Sequence, residues 1–147
     1  MISKAEMVKT LGKAELFANL NEQTLEAIAG ISQVRHFDEN EILYRPGDDS
    51  RDVYVLLSGR VRFTLYTGAG SRSSGSVMSS RMVFGWAALV SGQPRRLATS
   101  EAIEPSTVLS INGDDLLKVI EQDPASGFVV MQRVAAMIAR NFMEQES

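Results

Sequence analysis

The chain has 147 residues, a formal net charge of −3 and no cysteine, with 44% hydrophobic and 22% charged residues. These proportions are ordinary for a globular domain, and the length is enough to bury about two thirds of the surface exposed by the unfolded chain. The lack of cysteine excludes disulfides, thiolate catalysis and zinc–thiolate sites, and the negative charge argues against a nucleic-acid-binding surface.

Residues 4–30 are predicted to form two or three short helices. Their apolar residues recur at near-helical spacing, interrupted at Gly12 and around residues 19–21. These residues are Met7, Leu11, Leu16, Leu20, Leu25 and Ile28. Asn21 is a suitable N-cap for a helix over 22–29, because its short polar side chain can accept a hydrogen bond from the first turn.

Residues 32–111 have the pattern of short antiparallel strands in a sandwich or barrel, because β-branched and aromatic runs alternate with turn residues. The runs 53–57 and 61–66 flank Ser58-Gly59-Arg60 and are predicted to pair as a hairpin. The tract 67–76 is too polar and glycine-rich to pack, which predicts a mobile hairpin loop.

Residues 112–145 are predicted to form closing helices. Asn112 is a suitable cap for the first, and Asp123 followed by Pro124 is a typical start for the second. In that last helix apolar residues are spaced three, four, three and four apart, which defines a heptad seam. The seam consists of Phe128, Met131, Ala135, Ile138 and Phe142. Such a stripe predicts burial, either against the sheets or against a second copy of the chain.

The segment 83–99, with the sequence VFGWAALVSGQPRRLAT, has the features of an anion site. Gly85 lets the backbone approach a ligand closely, and the short alanine-rich turn after it presents free N–H groups. Arg95 and Arg96 follow within reach of the same place, and a guanidinium forms strong charge-assisted hydrogen bonds with an oxyanion. The segment therefore predicts a binding site for a phosphate-like group.

This segment resembles the phosphate-binding cassette of cyclic-nucleotide-binding domains, which reads Phe-Gly-Glu, a small residue, Ala or Ser, Leu, then Pro-Arg, one residue and Ala-Thr. The similarity extends to residues 15–20, 37–48 and 53–61, so that it covers Leu16 to Ile120. It implies an α+β, mainly β fold: an antiparallel double-stranded β-helix or jelly roll with N-terminal helices and a long C-terminal helix. We expect a single domain over residues 1–147.

The resemblance implies a regulatory module for signal transduction that binds cAMP or cGMP, with an arginine and backbone N–H groups holding the phosphate. The implied ligand-binding residues are Phe84, Gly85, Trp86, Ala87, Ala88, Arg95, Arg96, Leu97, Ala98 and Thr99. Counting forward from Phe84 assigns the phosphate to Arg95, whereas counting back from Thr99 favours Arg96, because the chain carries one extra residue between the two motifs.

Two departures from the family pattern concern the ligand. Trp86 stands where the family has a glutamate, and its indole has an N–H donor but no acceptor for a ribose hydroxyl. Two roles for the indole of Trp86 stay open: stacking on a base or sugar of the ligand, or filling the space that the sugar would occupy. Arg81 and Met82 replace an acidic residue and a glycine. The alternative hypothesis is a degenerate fold that mediates dimerisation or protein interaction without nucleotide, or that binds another small anion.

The resemblance also implies a homodimer. In dimeric bacterial members related to catabolite activator protein, the long C-terminal helix pairs across a two-fold axis, and a helix-turn-helix follows it. The sequence, which runs to Ser147, contains no helix-turn-helix after the long helix. We therefore expect either that the ligand signal passes to another protein or that the chain is a piece of a longer one.

Catalysis is not expected. His36 is the only histidine, whereas a metal-binding jelly roll needs two or three with a carboxylate, and no nucleophile–base pair is evident. We therefore predict no enzymatic activity, no metal and no cofactor. No window approaches the roughly 20 apolar residues that cross a bilayer and no signal peptide is evident, which predicts a cytoplasmic protein without a membrane partner.

Overall fold

The computed structural model describes the backbone of residues 2–65 and 76–146 and the side chains of residues 2–65 and 77–140. The elements follow in chain order: α1 Lys4–Leu11, α2 Glu22–Gly30, β1 Ser32–Phe37, β2 Ile42–Tyr44, β3 Asp52–Ser58, β4 Val61–Leu65, β5 Ser76–Met78, β6 Val83–Phe84, a 3₁₀ helix Trp86–Leu89, β7 Ala98–Ala102, β8 Ser106–Asn112, α3 Gly113–Glu121 and α4 Pro124–Glu146.

The N-terminal region is divided into short helices, as predicted. The Ser3 side chain caps α1, and the Asn21 side chain caps α2 by accepting a hydrogen bond of 2.8 Å from the Thr24 N–H. Between the two helices the chain makes tight turns over residues 12–19. These turns place Leu16 and Phe17 in the core, where both are fully buried.

Two antiparallel four-stranded sheets form the β-roll. The first sheet has the strand order β1-β8-β3-β6 and the second has the order β2-β7-β4-β5. The first sheet carries the helices on its outer face, so it lies between the helices and the second sheet. The mainly antiparallel jelly-roll fold with flanking helices, predicted from the sequence, is confirmed.

Strand β3 shows why the first sheet is hydrophobic on both faces. Its residues Val53 and Val55 pack with the helices, whereas Tyr54 and Leu56 point between the two sheets, because successive side chains of a strand face opposite ways. We call these two packed regions the helix-side core and the roll interior. All four side chains are buried, which accounts for the continuous apolar run in this part of the sequence.

The predicted hairpin between residues 53–57 and 61–66 is wrong. Strand β3 pairs with β6 and β8, whereas β4 pairs with β5 and β7, so the turn between them crosses from one sheet to the other. Gly59 has a φ of +93° there, and a Cβ on it would lie 2.6 Å from the Pro105 carbonyl oxygen. Glycine-containing turns suit such a sheet crossing as well as a hairpin, and the sequence alone did not distinguish the two.

Strands β4 and β5 do pair, on either side of the predicted loop over 67–76. Ser76, the last residue of that prediction, belongs to β5. The rest of the loop lies outside the described residues.

Asp123 joins the beginning of α4 to the beginning of α2. Its carboxylate accepts hydrogen bonds from the Ser126 hydroxyl on α4 and, at 2.8 Å each, from the side chains of Asn21 and Thr24. The Ser126 N–H also donates to it, which confirms Asp123 as the predicted cap, and Asn112 caps α3 in the same way. These hydrogen bonds lower the pKa of Asp123, and the one from the Ser126 hydroxyl has the largest effect.

Helix α4 carries two separate apolar stripes. The stripe that packs on the helix-side core consists of Val130, Val134 and Met137. The predicted seam lies on another side: Phe128 is 66% exposed, Met131 is 37% exposed, and Ala135 is also exposed. Ile138 is half-buried against the core, and the side chain of Phe142 lies outside the described residues. Packing within the fold therefore leaves most of the seam uncovered.

Replacing Asp123 with asparagine should make the fold less stable at neutral pH. Asparagine keeps the capping oxygen but loses the charge that strengthens the hydrogen bonds from Ser126 and Thr24. Because the folded pKa of Asp123 is lowered from about 3.8, the stabilisation is complete above that pH and is lost as the pH falls through the folded value. Melting temperatures of the wild type and Asp123→Asn should therefore converge below about pH 4. An equal difference at pH 7 and pH 3 would contradict this role of the carboxylate.

Candidate functional site

The candidate site forms where β6 ends and the 3₁₀ helix begins. Gly85 links the two with a φ of +83°, a conformation that favours glycine. The backbone packs so closely there that a Cβ on Gly85 would lie 2.9 Å from the Asp52 carbonyl oxygen and 3.1 Å from Nη1 of Arg96. Gly85 therefore lets the chain pass directly against the Arg96 guanidinium.

Arg96 is buried at the edge of the roll interior, with only 5% of its surface exposed. Its Nη2 donates a hydrogen bond of 2.5 Å to the Asp52 carbonyl oxygen, and its guanidinium carbon lies 4.3 Å from the centre of the Tyr44 ring. Its backbone is held by the turn after β2, because its N–H donates to the Asp48 carbonyl and its carbonyl accepts from the Gly47 N–H. Both the side chain and the backbone of Arg96 are thus fixed.

The positive charge of Arg96 has no counter-charge in the described part of the chain. No carboxylate there forms an ion pair with it, and its Nε is buried without a hydrogen-bond partner. Burying an unpaired charge costs several kcal/mol, whereas stacking on an aromatic ring returns about 2 kcal/mol. The electrostatics of this position therefore favour an anion.

Arg95 points the other way. Its side chain is 69% exposed and pairs with the Asp49 carboxylate at 2.9 Å, and it donates at the same distance to the Gly47 carbonyl. The two arginines that the sequence left as alternatives are therefore on opposite sides of the chain. Arg96 lies in the site, and Arg95 clamps the surface of the neighbouring turn.

The aromatic side of the site was not predicted from the sequence. The rings of Tyr44, Tyr54, Phe63 and Phe84 fill the roll interior, with centroids 5.1–6.3 Å apart. Burial raises the pKa of Tyr44 and of Tyr54 above the ordinary value of a phenol, which is itself well above physiological pH, so both are neutral. The signal that could have found Tyr44 is its place just before Pro46-Gly47-Asp48-Asp49, a typical turn sequence.

The other predicted residues take three kinds of position. Phe84, Gly85, Ala87 and Ala88 are buried, and Ala98 and Thr99 are half-buried at the beginning of β7. Leu97 is 68% exposed and presents hydrocarbon to solvent directly after Arg96. Trp86 is half-buried and packs on the helix-side core, so its indole does not fill the roll interior.

The 3₁₀ helix is closely packed on α3. A Cβ on Gly113, the first residue of α3, would lie 2.3 Å from the Ala88 carbonyl oxygen. Gln93 bridges the two elements, because its side-chain amide donates to that carbonyl at 3.1 Å and to the Asp114 carboxylate at 2.9 Å. The 3₁₀ helix is therefore in direct contact with the beginning of α3.

A second connection runs from β6 to α4 through Glu15. One carboxylate oxygen accepts a hydrogen bond of 2.9 Å from the Val83 N–H, and the other pairs with Arg140 at 3.3 Å. Val83 lies two residues before Gly85. The strand that leads into the site is thus tied to the C-terminal helix by a single side chain.

Within the described ranges, no three histidine, cysteine, aspartate or glutamate residues come close enough to hold a metal ion. His36 is exposed, and its Nδ1 lies 2.9 Å from the Thr107 hydroxyl. None of the helices in this part of the chain is both long and apolar enough to span a membrane.

A profile of the cyclic nucleotide-binding domain matches residues 34–123, which include the whole of this site. The chain belongs to the cyclic nucleotide-binding domain family. The family inferred from the sequence resemblance is therefore confirmed.

Among curated proteins, the global nitrogen regulator of Synechocystis is 27% identical over 115 residues, which are 78% of this chain and 51% of that protein. The chain thus spans about half the length of this relative. Among solved structures, the sensor domain of the transcriptional regulator DNR from Pseudomonas aeruginosa superposes with a TM-score of 0.79 at 20% identity, covering 98% of this chain and 96% of that one. The regulatory domain of Toxoplasma gondii PKA with cAMP superposes at 0.71 with 22% identity, covering 79% and 44%.

Replacing Gly85 with alanine should displace the Arg96 guanidinium as well as strain the backbone. Gly47 is the matched control, because its φ is +89° but a Cβ on it would meet nothing within 4 Å. We expect Gly47→Ala to lower the free energy of unfolding by about 1–2 kcal/mol through the left-handed conformation alone. Gly85→Ala should cost about 1–3 kcal/mol more through overpacking. Equal losses in urea denaturation would contradict the close packing of the Asp52 carbonyl and the Arg96 guanidinium against Gly85.

Proposed function

We propose that this domain is a regulatory sensor in which Arg96 holds the phosphate of a cyclic nucleotide, cAMP or cGMP. The observation that carries the proposal is the buried Arg96 guanidinium, which has an unpartnered Nε and no carboxylate beside it in the described chain. A cyclic phosphate supplies one negative charge and several acceptor oxygens, which match this need. The first N–H groups of the 3₁₀ helix, which lack intrahelical partners, are suitable further donors.

The packing around the site supports a sensing role. The Ala88 contact with Gly113 and the Glu15 bridge to Arg140 connect the ligand position with α3 and α4. A ligand that binds one arrangement of the cassette more tightly shifts the population toward it, and both helices would follow. The relatives support this reading, since the nitrogen regulator and DNR are named as regulators and the PKA regulatory domain was crystallised with cAMP.

Another small anion is the second candidate ligand. Trp86 supplies no acceptor for a ribose hydroxyl and turns toward the helices, and the aromatic rings occupy the roll interior. These observations favour a compact ligand bound through its charge alone. Inorganic phosphate is the simplest probe of this alternative.

Titration with cAMP, cGMP and inorganic phosphate should separate these candidates. Ligand at a hundredfold excess over Kd raises the free energy of unfolding by about 2.7 kcal/mol, or about 5–10 °C in melting temperature for a domain of this size. The fluorescence of Trp86, the single tryptophan, gives a second readout beside Gly85.

Arg96→Gln should abolish both responses, whereas Arg95→Gln should leave affinity unchanged within about twofold, since Arg95 is already paired at the surface. If no probe changes either signal at millimolar concentration, anion sensing by this domain is refuted.

We further propose that the exposed stripe of α4 pairs with the same helix of a second copy. The seam residues Phe128, Met131 and Ala135 are uncharged and exposed, while a different stripe serves the fold's own core. Exposed aromatic and methionine side chains in a continuous stripe are typical of interaction surfaces. The unidentified output protein is then expected to read the geometry of the helix pair.

Phe128→Glu and Met131→Glu should each convert the dimer to a monomer in sedimentation equilibrium. A charge at either position would be buried without a partner in the pair. Ala136→Glu is the control, because Ala136 is exposed on a third side of the helix. Ile138 is a poorer test position, since its contact with the core would also lower stability. Seam variants that sediment like Ala136→Glu would argue against this interface.

A further inference from the structure

The contact between Arg96 and Tyr44 suggests a role for a residue outside the cassette. Tyr44 is the last residue of β2 and lies more than fifty positions before Arg96. It is 9% exposed, and its ring faces the guanidinium at 4.3 Å. The hydrogen bond from Nη2 to the Asp52 carbonyl fixes one end of the guanidinium, and the ring supports its face.

Neither of these two partners carries a negative charge. A carbonyl oxygen and the face of a neutral ring attract the cation but leave it able to bind an anion, whereas a carboxylate would neutralise it. A phenol is already protonated at physiological pH, and burial raises the pKa of Tyr44 further, so the ring does not act as a phenolate counter-ion. The surroundings of Arg96 therefore order the guanidinium without neutralising its charge.

The position of Tyr44 is itself well determined. Its backbone is opposite Ser100 in the pairing of β2 with β7. The rings of Tyr54 and Phe63 pack beside it, with centroids at 6.2 and 6.3 Å. Three strands of two sheets thus fix the ring against which Arg96 lies.

We propose that Tyr44 is a positioning residue, whose ring face holds the Arg96 guanidinium in the orientation that binds the anion. This inference rests on the anion site proposed above. The aromatic ring, and not the hydroxyl, orients the Arg96 guanidinium, because the guanidinium lies over the ring centroid. Without the ring, Arg96 regains rotamer freedom that the anion must then remove, which weakens binding. The loss expected is about tenfold in Kd, in the range of a desolvated cation–π contact.

NMR of protein labelled with 15N-arginine tests the position and the binding separately. The Nε–H signal of Arg96, assigned by its disappearance in Arg96→Lys, should be shifted upfield by the ring below it and should exchange slowly. Tyr44→Phe should keep this signal, and Tyr44→Leu should lose the upfield shift. Phe37→Leu is the matched control, because it removes a ring from the same roll interior that lies under Arg35 and not under Arg96. An unchanged Arg96 signal in Tyr44→Leu overturns the proposal.

Titration of each variant with cAMP and with inorganic phosphate, followed by the same signal, gives the affinities. Tyr44→Leu should weaken binding about tenfold while Tyr44→Phe and Phe37→Leu stay within about twofold; an equal loss in Phe37→Leu overturns the specific role of Tyr44. If Tyr44→Leu does not fold, pentafluorophenylalanine at position 44 keeps the ring shape but reverses the charge of its face, and the same loss is expected. If neither probe moves the wild-type signal, the proposed function fails, and the ring-dependent shift alone decides whether Tyr44 positions Arg96.

Discussion

The sheet formed by β1, β8, β3 and β6 lies between two packed layers, and the site depends on this arrangement. Its strands send alternate side chains to the helices and to the roll interior, as Val83 and Phe84 do at the end of β6. Gly85 follows directly, so the chain leaves the sheet at the boundary of the two layers. A glycine there brings the backbone against Arg96 on one side while the 3₁₀ helix packs on α3 on the other.

Arg96 shows how a fold can bury and order a charge without pairing it with a carboxylate of the described chain. Its guanidinium is ordered by a carbonyl and by an aromatic face, and its backbone by two hydrogen bonds, none of which neutralises the charge. Arg95, the next residue, is the opposite case: its exposed ion pair with Asp49 is worth little energy and needs no ligand. Adjacent residues of one type thus have different roles, because one side chain enters the low-dielectric interior and the other stays in water.

Few contacts connect the site with helices α3 and α4. Gly113 allows α3 to touch the Ala88 carbonyl, and Glu15 joins the Val83 backbone to Arg140 on α4. Helix α4 can follow a change in the site while presenting an uncovered stripe that includes Phe128 and Met131, because its contacts with the core use a different side. The same helix therefore has one face that packs on the fold and another that the fold leaves exposed.

The sequence by itself determined the features that depend on neighbouring residues or on a contiguous motif. The caps at Asn21 and Asn112, the Asp123-Pro124 helix start, and the cassette with its family all follow from residues within a few positions of each other. Only the tertiary structure decided that β3 and β4 belong to different sheets, that Arg96 and not Arg95 is buried beside Gly85, and that Tyr44 lies against it. These outcomes depend on which distant strands pair and on which side of a turn is buried, and local spacing does not encode either.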